Sequence, residues 1–459
     1  MVIIMKKRIS WGVAIALMAV TATITMSLTY QFAINRTKVQ VDSLSERMKM
    51  YSKLSEIDQK VRDSYLKTLD ESALNDAIAE GYMNGIDDKH SYYLTQSEYT
   101  ARQLELSGQM VGIGVDVSLL NDGTIAIARV TPNSPAAAAG LQKGDILQKV
   151  GDKELTASDY SNLSGMIGGE AGTDVSITVL RGEESLTITA TRKQFDMITV
   201  DSRLMENGLG YIRIYEFTDG TTGENGTAAQ FKAAVNSLSS QGATGLIIDV
   251  RNNPGGSLSA VSAVLDQILP AGNIVSSAGK DGAKQVLYTS DSNQISLPIA
   301  VLVNQNSASA SELLAGAIQD YGKGTIVGTT TYGKGTMQQM FALTDGSAIN
   351  LTIAKFFPPT SDNFDGVGVK PDIVAELSEE LQDRFYFLTD AEDTQLSTAA
   401  SALMIGGAET NTGGDDLTEE SQNAVSGGET ETPADSAAEG QSSVSPAAMA
   451  DEVRQVIHL

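Results

Sequence analysis

The sequence predicts a mixed α/β protein with an inserted β-rich domain and an N-terminal helical region. Three observations predict this fold class. Between residues 208 and 371, short apolar runs alternate with helical segments, which is the pattern of an α/β domain. Between about 98 and 192, the pattern changes to short strands separated by glycine turns. Residues 36–88 are polar, contain no proline and are helical in pattern.

The composition excludes several classes of function. The chain has 459 residues, enough for two or three domains, and 41% of them are hydrophobic, so a sizeable core can form. The formal net charge of −25 argues against nucleic acid as a partner, because nothing neutralises phosphates. The chain has no cysteine, which excludes disulfides and thiolate metal sites. We expect no cofactor and no metal.

The N-terminus predicts a membrane anchor. Lys6, Lys7 and Arg8 precede 26 uncharged residues, 9–34, and about 20 apolar residues span a bilayer as a helix. A cleaved signal peptide is the alternative. The basic cluster is expected to stay cytoplasmic, which leaves the rest of the chain outside the membrane. The predicted organisation has five parts: a transmembrane anchor at 1–35, an N-terminal helical region at 36–97, a β-domain at 98–195, an α/β domain at 196–404 and an acidic, disordered tail at 405–459.

The α/β region divides into individual elements. A further helical stretch is predicted at Glu379–Met404, and the nine acidic residues between Gly406 and Ala450, with no Lys or Arg, predict disorder beyond it. The predicted strands and intervening helices are Leu209–Tyr215, Thr222–Ser239, Gly245–Val250, Ser257–Leu269, Ile299–Val303, Ser311–Tyr321 and Thr325–Gly328.

Three segments in order, Gly112–Val115, Val130–Leu141 and Lys143–Gly151, resemble a PDZ domain. Such a domain captures a peptide by adding it as a strand. The backbone N–H groups expected to receive a terminal carboxylate are those around Val111, Gly112, Ile113 and Gly114. A helix near Ser158–Ile167 is expected to wall the groove. The alternative is a plain β-domain with glycine turns.

The scarcity of histidine directs attention to Ser309 and Lys334. His90 and His458 are the only histidines, and we expect His90 to be structural. A lysine can replace histidine as the base for a serine nucleophile if its pKa is lowered enough. Ser309 follows an apolar strand and precedes a helix, where the N–H of Ala310 can stabilise an oxyanion. The alternative is that Ser309 is an ordinary helix cap, with Glu312 completing a capping box.

Lys334 lies between two glycines, and its default interpretation is a solvated surface residue. If residues 334–338 are extended, Lys334 and Gln338 share one face, so Gln338 can hold the lysine amine in line with Ser309. To act as a base, the lysine needs a pKa of about 7–8 rather than about 10.4. Gly255 and Gly256 follow a buried strand, and either could supply a second N–H for an oxyanion. The alternative is that they only form an ordinary turn between a strand and a helix.

Together these segments resemble the C-terminal processing peptidases over about residues 72–403. The resemblance implies a ClpP/crotonase-like α/β domain with Ser309 as nucleophile, Lys334 as general base and Gln338 as its support. It also implies oxyanion donors at Ala310 and at a glycine of the 253–256 turn. Two segments depart from the family pattern: Ile167-Gly168-Gly169 lacks an arginine, and Asp87-Asp88-Lys89-His90 lacks a proline.

The sequence therefore predicts a membrane-anchored serine endopeptidase outside the cytoplasmic membrane, whose PDZ domain recognises substrate C-termini. The expected partners are proteins with free apolar C-termini or unfolded segments, and the membrane through residues 9–34. A homodimer is one assembly compatible with the sequence. One rival is a catalytically silent PDZ scaffold that binds protein C-termini. Another is a hydrolase of small esters or amides.

Overall fold

The computed structural model describes residues 11–220, 225–409 and 457–459, which fall into two structural units. The first unit runs to Asn75 and consists of helix α1 (Trp11–Ser64) and the start of α2 (Glu71–Asn84). Arg62 closes this unit, since its guanidinium bonds Asp58 at 2.8 Å and Glu71 at 2.6 Å.

Among the described residues, no helix has both the length and the apolar composition of a bilayer span. The start of the anchor predicted at 9–34 lies outside the described residues.

The second unit begins with the end of α2, strand β1 (Tyr92–Leu94) and helix α3 (Gln96–Leu106). The β-domain that follows has an antiparallel sheet in the order β3-β4-β5-β7-β8, with β6 beside β5 and a separate β2–β9 ribbon. A 3-10 turn at Ala157–Asn162 leads into α5. The elements are β2 (Gln109–Gly112), β3 (Val115–Leu119), β4 (Ile125–Val130), α4 (Pro135–Ala139), β5 (Ile146–Val150), β6 (Lys153–Glu154), α5 (Leu163–Ile167), β7 (Asp174–Arg181), β8 (Glu184–Thr191) and β9 (Lys193–Asp196).

The α/β domain occupies most of the remaining chain, and a last strand follows far downstream. Its elements are β10 (Val200–Leu204), β11 (Gly210–Ile214), α6 (Thr227–Ser240), β12 (Leu246–Asp249), α7 (Leu258–Asp266), β13 (Gly272–Ala278), β14 (Lys284–Ser290), β15 (Ile299–Val303), α8 (Ala310–Asp320), β16 (Gly324–Gly328), β17 (Thr336–Ala342), β18 (Ala348–Phe357), β19 (Ile373–Val374), α9 (Glu379–Asp383) and α10 (Thr394–Glu409). The last strand, β20 (Ile457–His458), pairs with β3 of the β-domain.

Two sheets build the α/β domain. The main sheet has the order β10-β11-β12-β15-β16-β19 and is parallel except for β10. The second sheet has the order β1-β18-β13-β14, with β17 also paired to β18. Because β1 belongs to this sheet, the segment before the β-domain is part of the framework of the α/β domain.

Helices cover both faces of the main sheet, so its strands read as continuous apolar runs. Along β15, Val301 and Val303 belong to the core cluster formed with α6, α7 and α8. Ala300 and Leu302 point to the opposite face and pack in a cluster with α10. The parallel pairing of β12 with β15 places their carboxyl ends side by side, where ligand sites of α/β sheets form.

The predicted strands and helices of the α/β region agree with the structure to within a few residues. Two predictions are wrong. Residues 379–404 are not one helix, because a 3-10 turn at Phe385–Phe387 interrupts them, with the Phe385 ring lying 4.8 Å from the Arg251 guanidinium. The tail predicted to be disordered from 405 onward is ordered at both ends: α10 continues to Glu409 and β20 pairs with β3. Residues 410–456 lie outside the described residues.

A buried ion network fixes the loop that leaves β12. Arg251 bonds the Asp249 carboxylate at 2.6 Å and the Asp393 carboxylate at 2.8 Å, and the three side chains are at most 9% exposed. Burial alone would raise the pKa of Asp249, but the Arg251 charge outweighs it and lowers that pKa to about 2. The network therefore anchors the 250–256 loop to the start of α10.

We predict that Arg251→Met destabilises the protein by about 3–5 kcal/mol, because it leaves two carboxylates buried without their partner. Arg203→Met is the matched control, since its ion pair with Asp390 is about half exposed and contributes at most about 1 kcal/mol. Urea unfolding at pH 7 measures both variants. Equal losses for the two variants would contradict this account.

The same network predicts a pH dependence of stability. Because the pKa of Asp249 is depressed in the folded protein, its contribution is complete above about pH 4 and is lost as the pH falls towards 2.

Candidate active site

The carboxyl ends of β12 and β15 border a cavity of about 720 Å³. Its lining brings together the residues singled out from the sequence: Ser309, Ala310, Lys334, Gln338 and Gly256. The wall also includes Val111 of β2 and Ser164 of α5, two elements of the PDZ domain. The candidate site therefore lies where the PDZ domain meets the α/β domain.

Ser309 lies at the N-terminus of α8 in a backbone conformation that side chains rarely adopt. Its φ of 55° and ψ of −111° make it one of four non-glycine residues with positive φ among the described residues. Strained conformations of this kind persist only where the surroundings enforce them, and they concentrate at functional sites. Ser309 therefore has a feature that an ordinary helix cap does not need.

Side-chain hydrogen bonds explain why this turn forms. Ser307 Oγ donates to the carbonyl of Val250 at 2.8 Å, and Asn304 Nδ2 donates to Asn252 Oδ1 at 2.7 Å. These bonds lock the turn after β15 onto the turn after β12. The polar residues Asn304–Ser309 thus join the ends of two strands by hydrogen bonds, and this arrangement places Ser309 at the cavity.

Glu312 connects Ser309 to the lysine segment. Its carboxylate accepts the N–H of Ser309 at 2.8 Å, the N–H of Gly333 at 2.6 Å and the N–H of Lys334 at 2.8 Å. It also accepts the hydroxyl of Thr331 at 2.6 Å, while its side chain is fully buried. Burial raises the pKa of Glu312, and the four donors act in the opposite direction.

The glycines beside Lys334 are required by close packing. A Cβ on Gly333, whose φ is +90°, would lie 3.0 Å from the amide nitrogen of Val367. A Cβ on Gly335 would lie 2.5 Å from Asn363 Nδ2. The backbone on both sides of Lys334 is thus pressed against the loop 363–368, which fixes where the lysine side chain starts.

Lys334 has the depressed pKa that a lysine base requires. Burial is the main cause, the charges of Arg102 and Lys89 add to it, and together they lower the pKa from 10.5 to about 8. Asp88 and Glu312 oppose the shift without cancelling it. At pH 7 the neutral amine is then present in about a tenth of molecules, against about one in three thousand at the ordinary pKa.

Arg102 is a functional candidate that the sequence alone did not single out. It lies on α3, lines the cavity and forms ion pairs with Glu105 and Glu216. The fold brings its charge near Lys334, although the two residues are far apart in the sequence. The only signal in the sequence is a charged residue on the helix that precedes the PDZ pattern.

His90 was expected to be structural, but it also lines the same cavity. Burial and the neighbouring charge of Lys334 lower the pKa of His90 to about 4. A histidine with this pKa is neutral at pH 7 and is a weaker base than Lys334. Its backbone carbonyl also accepts a bond from Asn350 Nδ2 at 3.0 Å, so it has a structural role as well.

Gln338 lines the cavity with a fixed amide. Its Nε2 donates to Thr336 Oγ1 at 2.9 Å and to Thr352 Oγ1 at 3.1 Å. Both amide hydrogens are used in this way, which leaves the carbonyl oxygen as the atom that can accept a bond from an amine.

The predicted oxyanion donors separate into two groups. The N–H groups of Ala310 and Gly256 have no acceptor within the described residues, and both residues line the cavity. The prediction for Gly255 is wrong, because its N–H donates to Asn253 Oδ1 at 2.8 Å. Gly255 instead permits close packing, since a Cβ there would lie 2.9 Å from Ser309 Cβ.

The PDZ groove is occupied by Ile457–Leu459. The N–H groups of Gly114 and Val115 donate to the Leu459 oxygen at 2.6 and 3.0 Å. Gly112 lies against Leu459, where a Cβ would be 3.0 Å from its carbonyl carbon, and the Ile113 side chain belongs to the same buried cluster.

The prediction for Val111 is wrong, because Val111 pairs with Gln194 and lines the cavity of Ser309 rather than the groove.

At the glycines that depart from the family pattern, Arg192 Nε donates to the Ile167 carbonyl at 2.7 Å and holds the end of the groove helix.

Among the described residues, no group of three or more acidic or histidine side chains is arranged to hold a metal ion. Ser309 and Lys334 line the same cavity, and this pair of residue types can support nucleophilic attack by a serine with a lysine as proton acceptor.

Comparison with known proteins gives matches along most of the chain. Residues 208–375 match the model of peptidase family S41, and residues 111–191 match that of a PDZ domain. The carboxy-terminal processing protease CtpA of Bacillus subtilis is 30% identical over 360 residues, covering 78% of this chain and 76% of the relative.

The carboxy-terminal-processing protease of Bartonella bacilliformis is 30% identical over 336 residues, covering 72% of this chain and 75% of the relative. A solved Bacteroides fragilis structure assigned to the S41 proteases is similar in fold, with a TM-score of 0.52 and 20% identity. That match covers 76% of this chain and 92% of the solved one.

The strained backbone predicts that Ser309→Gly is more stable than Ser309→Ala by about 1–3 kcal/mol, because glycine adopts positive φ without strain. Ser311, inside α8, is the matched control. There the glycine variant should be less stable than the alanine variant by about 0.5–1 kcal/mol. Chemical unfolding of the four variants measures this, and an alanine variant at 309 as stable as the glycine variant would contradict it.

Proposed function

The chain belongs to the carboxy-terminal processing proteases of peptidase family S41, and on this basis we propose that Ser309 and Lys334 form its catalytic dyad. The observation that carries the proposal is the depressed pKa of Lys334 in the cavity that contains Ser309. A solvated lysine stays protonated near neutral pH. For Lys334, burial and the charge of Arg102 both disfavour the protonated amine.

The first half of the reaction forms an acyl-enzyme. Neutral Lys334 removes the proton from Ser309 Oγ as the oxygen attacks the scissile carbonyl carbon. The N–H groups of Ala310 and Gly256 receive the negative charge that develops on the carbonyl oxygen. When the intermediate collapses, the C–N bond breaks, and the Lys334 ammonium gives its proton to the leaving amine.

The second half releases the acyl group. A water molecule takes the place of the amine, and Lys334 removes a proton from it as the oxygen attacks the ester carbon. The ester bond to Ser309 breaks, and the proton returns to Ser309 Oγ. The carbonyl oxygen of Gln338 orients the lysine amine through both halves, because its amide nitrogen is held by two threonine hydroxyls.

The PDZ domain supplies substrate selection in this proposal. A substrate C-terminus adds to β3 as a strand, with its carboxylate on the N–H groups of Gly114 and Val115. Support comes from the way the groove already holds the Leu459 oxygen. The neighbouring elements α5 and β2 contribute Ser164 and Val111 to the catalytic cavity, so a captured chain has a short path to Ser309.

Each of the two rival functions fails to explain one feature of the structure. A catalytically silent scaffold has no need of a serine with strained backbone or of a lysine with depressed pKa. A hydrolase of small esters or amides has no use for a PDZ groove beside its cavity. The endopeptidase accounts for both features.

We also propose that the peptidase works outside the cytoplasmic membrane, tethered through residues 9–34. The support is the sequence alone: the three adjacent basic residues Lys6, Lys7 and Arg8 precede a long uncharged stretch, and the first charge after it is Arg36.

For the dyad, we predict that Ser309→Ala and Lys334→Ala each abolish cleavage of an unstructured protein substrate, while circular dichroism shows a folded chain. Lys334→Arg should also be inactive, because a guanidinium stays protonated. Lys323→Ala, which removes a surface lysine bonded to Gln294, is the matched control and should remain active. Activity within tenfold of wild type in Ser309→Ala or Lys334→Ala would exclude the dyad.

The pH dependence separates a lysine base from a histidine base. Activity should rise with pH around a midpoint of about 8, because Lys334 must lose its proton before it can act. His90→Ala should leave that midpoint in place. A midpoint near 4 in the wild type, lost in His90→Ala, would favour a histidine mechanism instead.

The topology is tested by adding a protease to intact cells or spheroplasts. The proposal predicts that the catalytic domain is digested or released from outside, while a cytoplasmic marker protein survives. Protection of the whole chain until lysis would show the opposite orientation or a cytoplasmic enzyme.

A further inference from the structure

The PDZ groove contains a strand from the chain itself. β20 pairs antiparallel with β3, with Ile457 opposite Val117 and His458 opposite Asp116. The N–H of Leu459 donates to the Val115 carbonyl at 2.8 Å, and the Leu459 oxygen accepts from Gly114 and Val115. The backbone of Leu459 therefore bonds the groove as an added strand does, through its N–H and its oxygen.

The side chains of the segment fill the groove. Ile457 is 2% exposed and Leu459 is 4% exposed, and both belong to the hydrophobic cluster of the PDZ core. Helix α5 lies against the strand on the other side. Because side chains alternate along a strand, two aliphatic residues separated by one position can enter the groove together.

We propose that Ile457–Leu459 is an internal ligand of the PDZ groove and competes with substrate C-termini for it. This inference rests on the proposed function of the groove. It also names the substrate class: chains whose last and third-last residues are aliphatic. Such a terminus reproduces both the backbone bonds and the two buried side chains of the internal segment.

Two features favour a reversible ligand over a permanent part of the domain. The PDZ sheet is complete without β20, which pairs only with the edge strand β3. The segment is also far from α10 in the sequence, since 47 residues separate Glu409 from Ile457. A tethered ligand of this kind has an effective concentration of the order of millimolar, so it competes even if its intrinsic affinity is modest.

The occupied groove is also connected to the peptidase domain. Asp116, the register partner of His458, lies 3.5 Å from the Arg129 guanidinium. Arg129 lies 4.0 Å from the centre of the Tyr215 ring and donates to the Ile198 carbonyl at 2.6 Å. The strand that holds the ligand is therefore linked through Arg129 to Tyr215, the residue that follows β11 in the α/β domain.

Peptide binding tests the proposal in the full chain carrying Ser309→Ala, so that the probe is not cleaved. The probe is a fluorescent synthetic peptide with the sequence of residues 452–459 and a free carboxylate. Adding Leu459→Asp to the chain places a charge in the apolar groove and should release the internal segment. The probe should then bind about tenfold or more tightly than to the parent chain, as removal of a tethered competitor predicts.

Two controls belong to this experiment. His458→Ala keeps both aliphatic residues of the segment and should bind the probe as the parent does. A chain lacking residues 457–459 should behave like Leu459→Asp, which excludes an effect of the new charge itself. An amidated probe should bind weakly to every variant, because the carboxylate that Gly114 and Val115 receive is missing.

The outcomes distinguish this inference from the proposed function. Equally tight binding to the parent and to Leu459→Asp overturns the internal ligand and leaves substrate capture by the groove standing. Absence of binding to every variant overturns both. A gain in affinity that vanishes on dilution of the protein overturns the intramolecular form, since the segment then comes from a second copy.

Hydrogen exchange gives a readout that does not depend on the probe. The amides of Gly114 and Val115 should exchange slowly in the parent and faster after Leu459→Asp. Equal exchange rates in the two proteins would overturn the proposal.

Discussion

The fully buried carboxylate of Glu312 is the interaction on which the candidate active site depends. It accepts hydrogen bonds from the backbone of Ser309 at one end and from the backbone of Gly333 and Lys334 at the other. These residues come from two separate chain segments, and each bond to a charged acceptor contributes about 1.5–3 kcal/mol. Without this acceptor, several buried N–H groups would lack a partner, and the backbone at Ser309 and at Lys334 would lose its common support.

The Glu312 carboxylate also favours the protonated form of Lys334, and other groups of the fold oppose this effect. Glu312 and Asp88 raise the pKa of Lys334, which works against a neutral base. Burial of the amine and the charges of Arg102 and Lys89 outweigh them, so the pKa still falls to about 8. That fall costs the folded state about 3 kcal/mol at neutral pH. Since α3 carries Arg102 and leads directly into the PDZ domain, the element that tunes the base also joins the two domains.

Local patterns predicted much of this structure, and long-range contacts account for what they missed. The strand Ile299–Val303 and the helix after Ser309 follow from apolar periodicity and capping, which act over a few residues. The position of Arg102 beside Lys334 depends on the sheet that joins β1 to β18, which no local pattern reveals. The acidic tail was predicted from its average composition, and an average cannot show that Ile457 and Leu459 fit a particular groove. Gly255 was predicted as a donor from its position, but the Asn253 side chain takes its N–H.

We propose that the fold holds Lys334 as a base poised near neutral pH. The titration of the Lys334 amine itself tests this, followed by NMR in protein labelled with ¹³C at the lysine ε-carbon and assigned with Lys334→Arg. We expect the Lys334 signal to titrate with a midpoint of about 8. A Lys334 signal that titrates near 10.5, the ordinary value for a lysine amine, would overturn the proposal, because the amine would then be protonated throughout the physiological range.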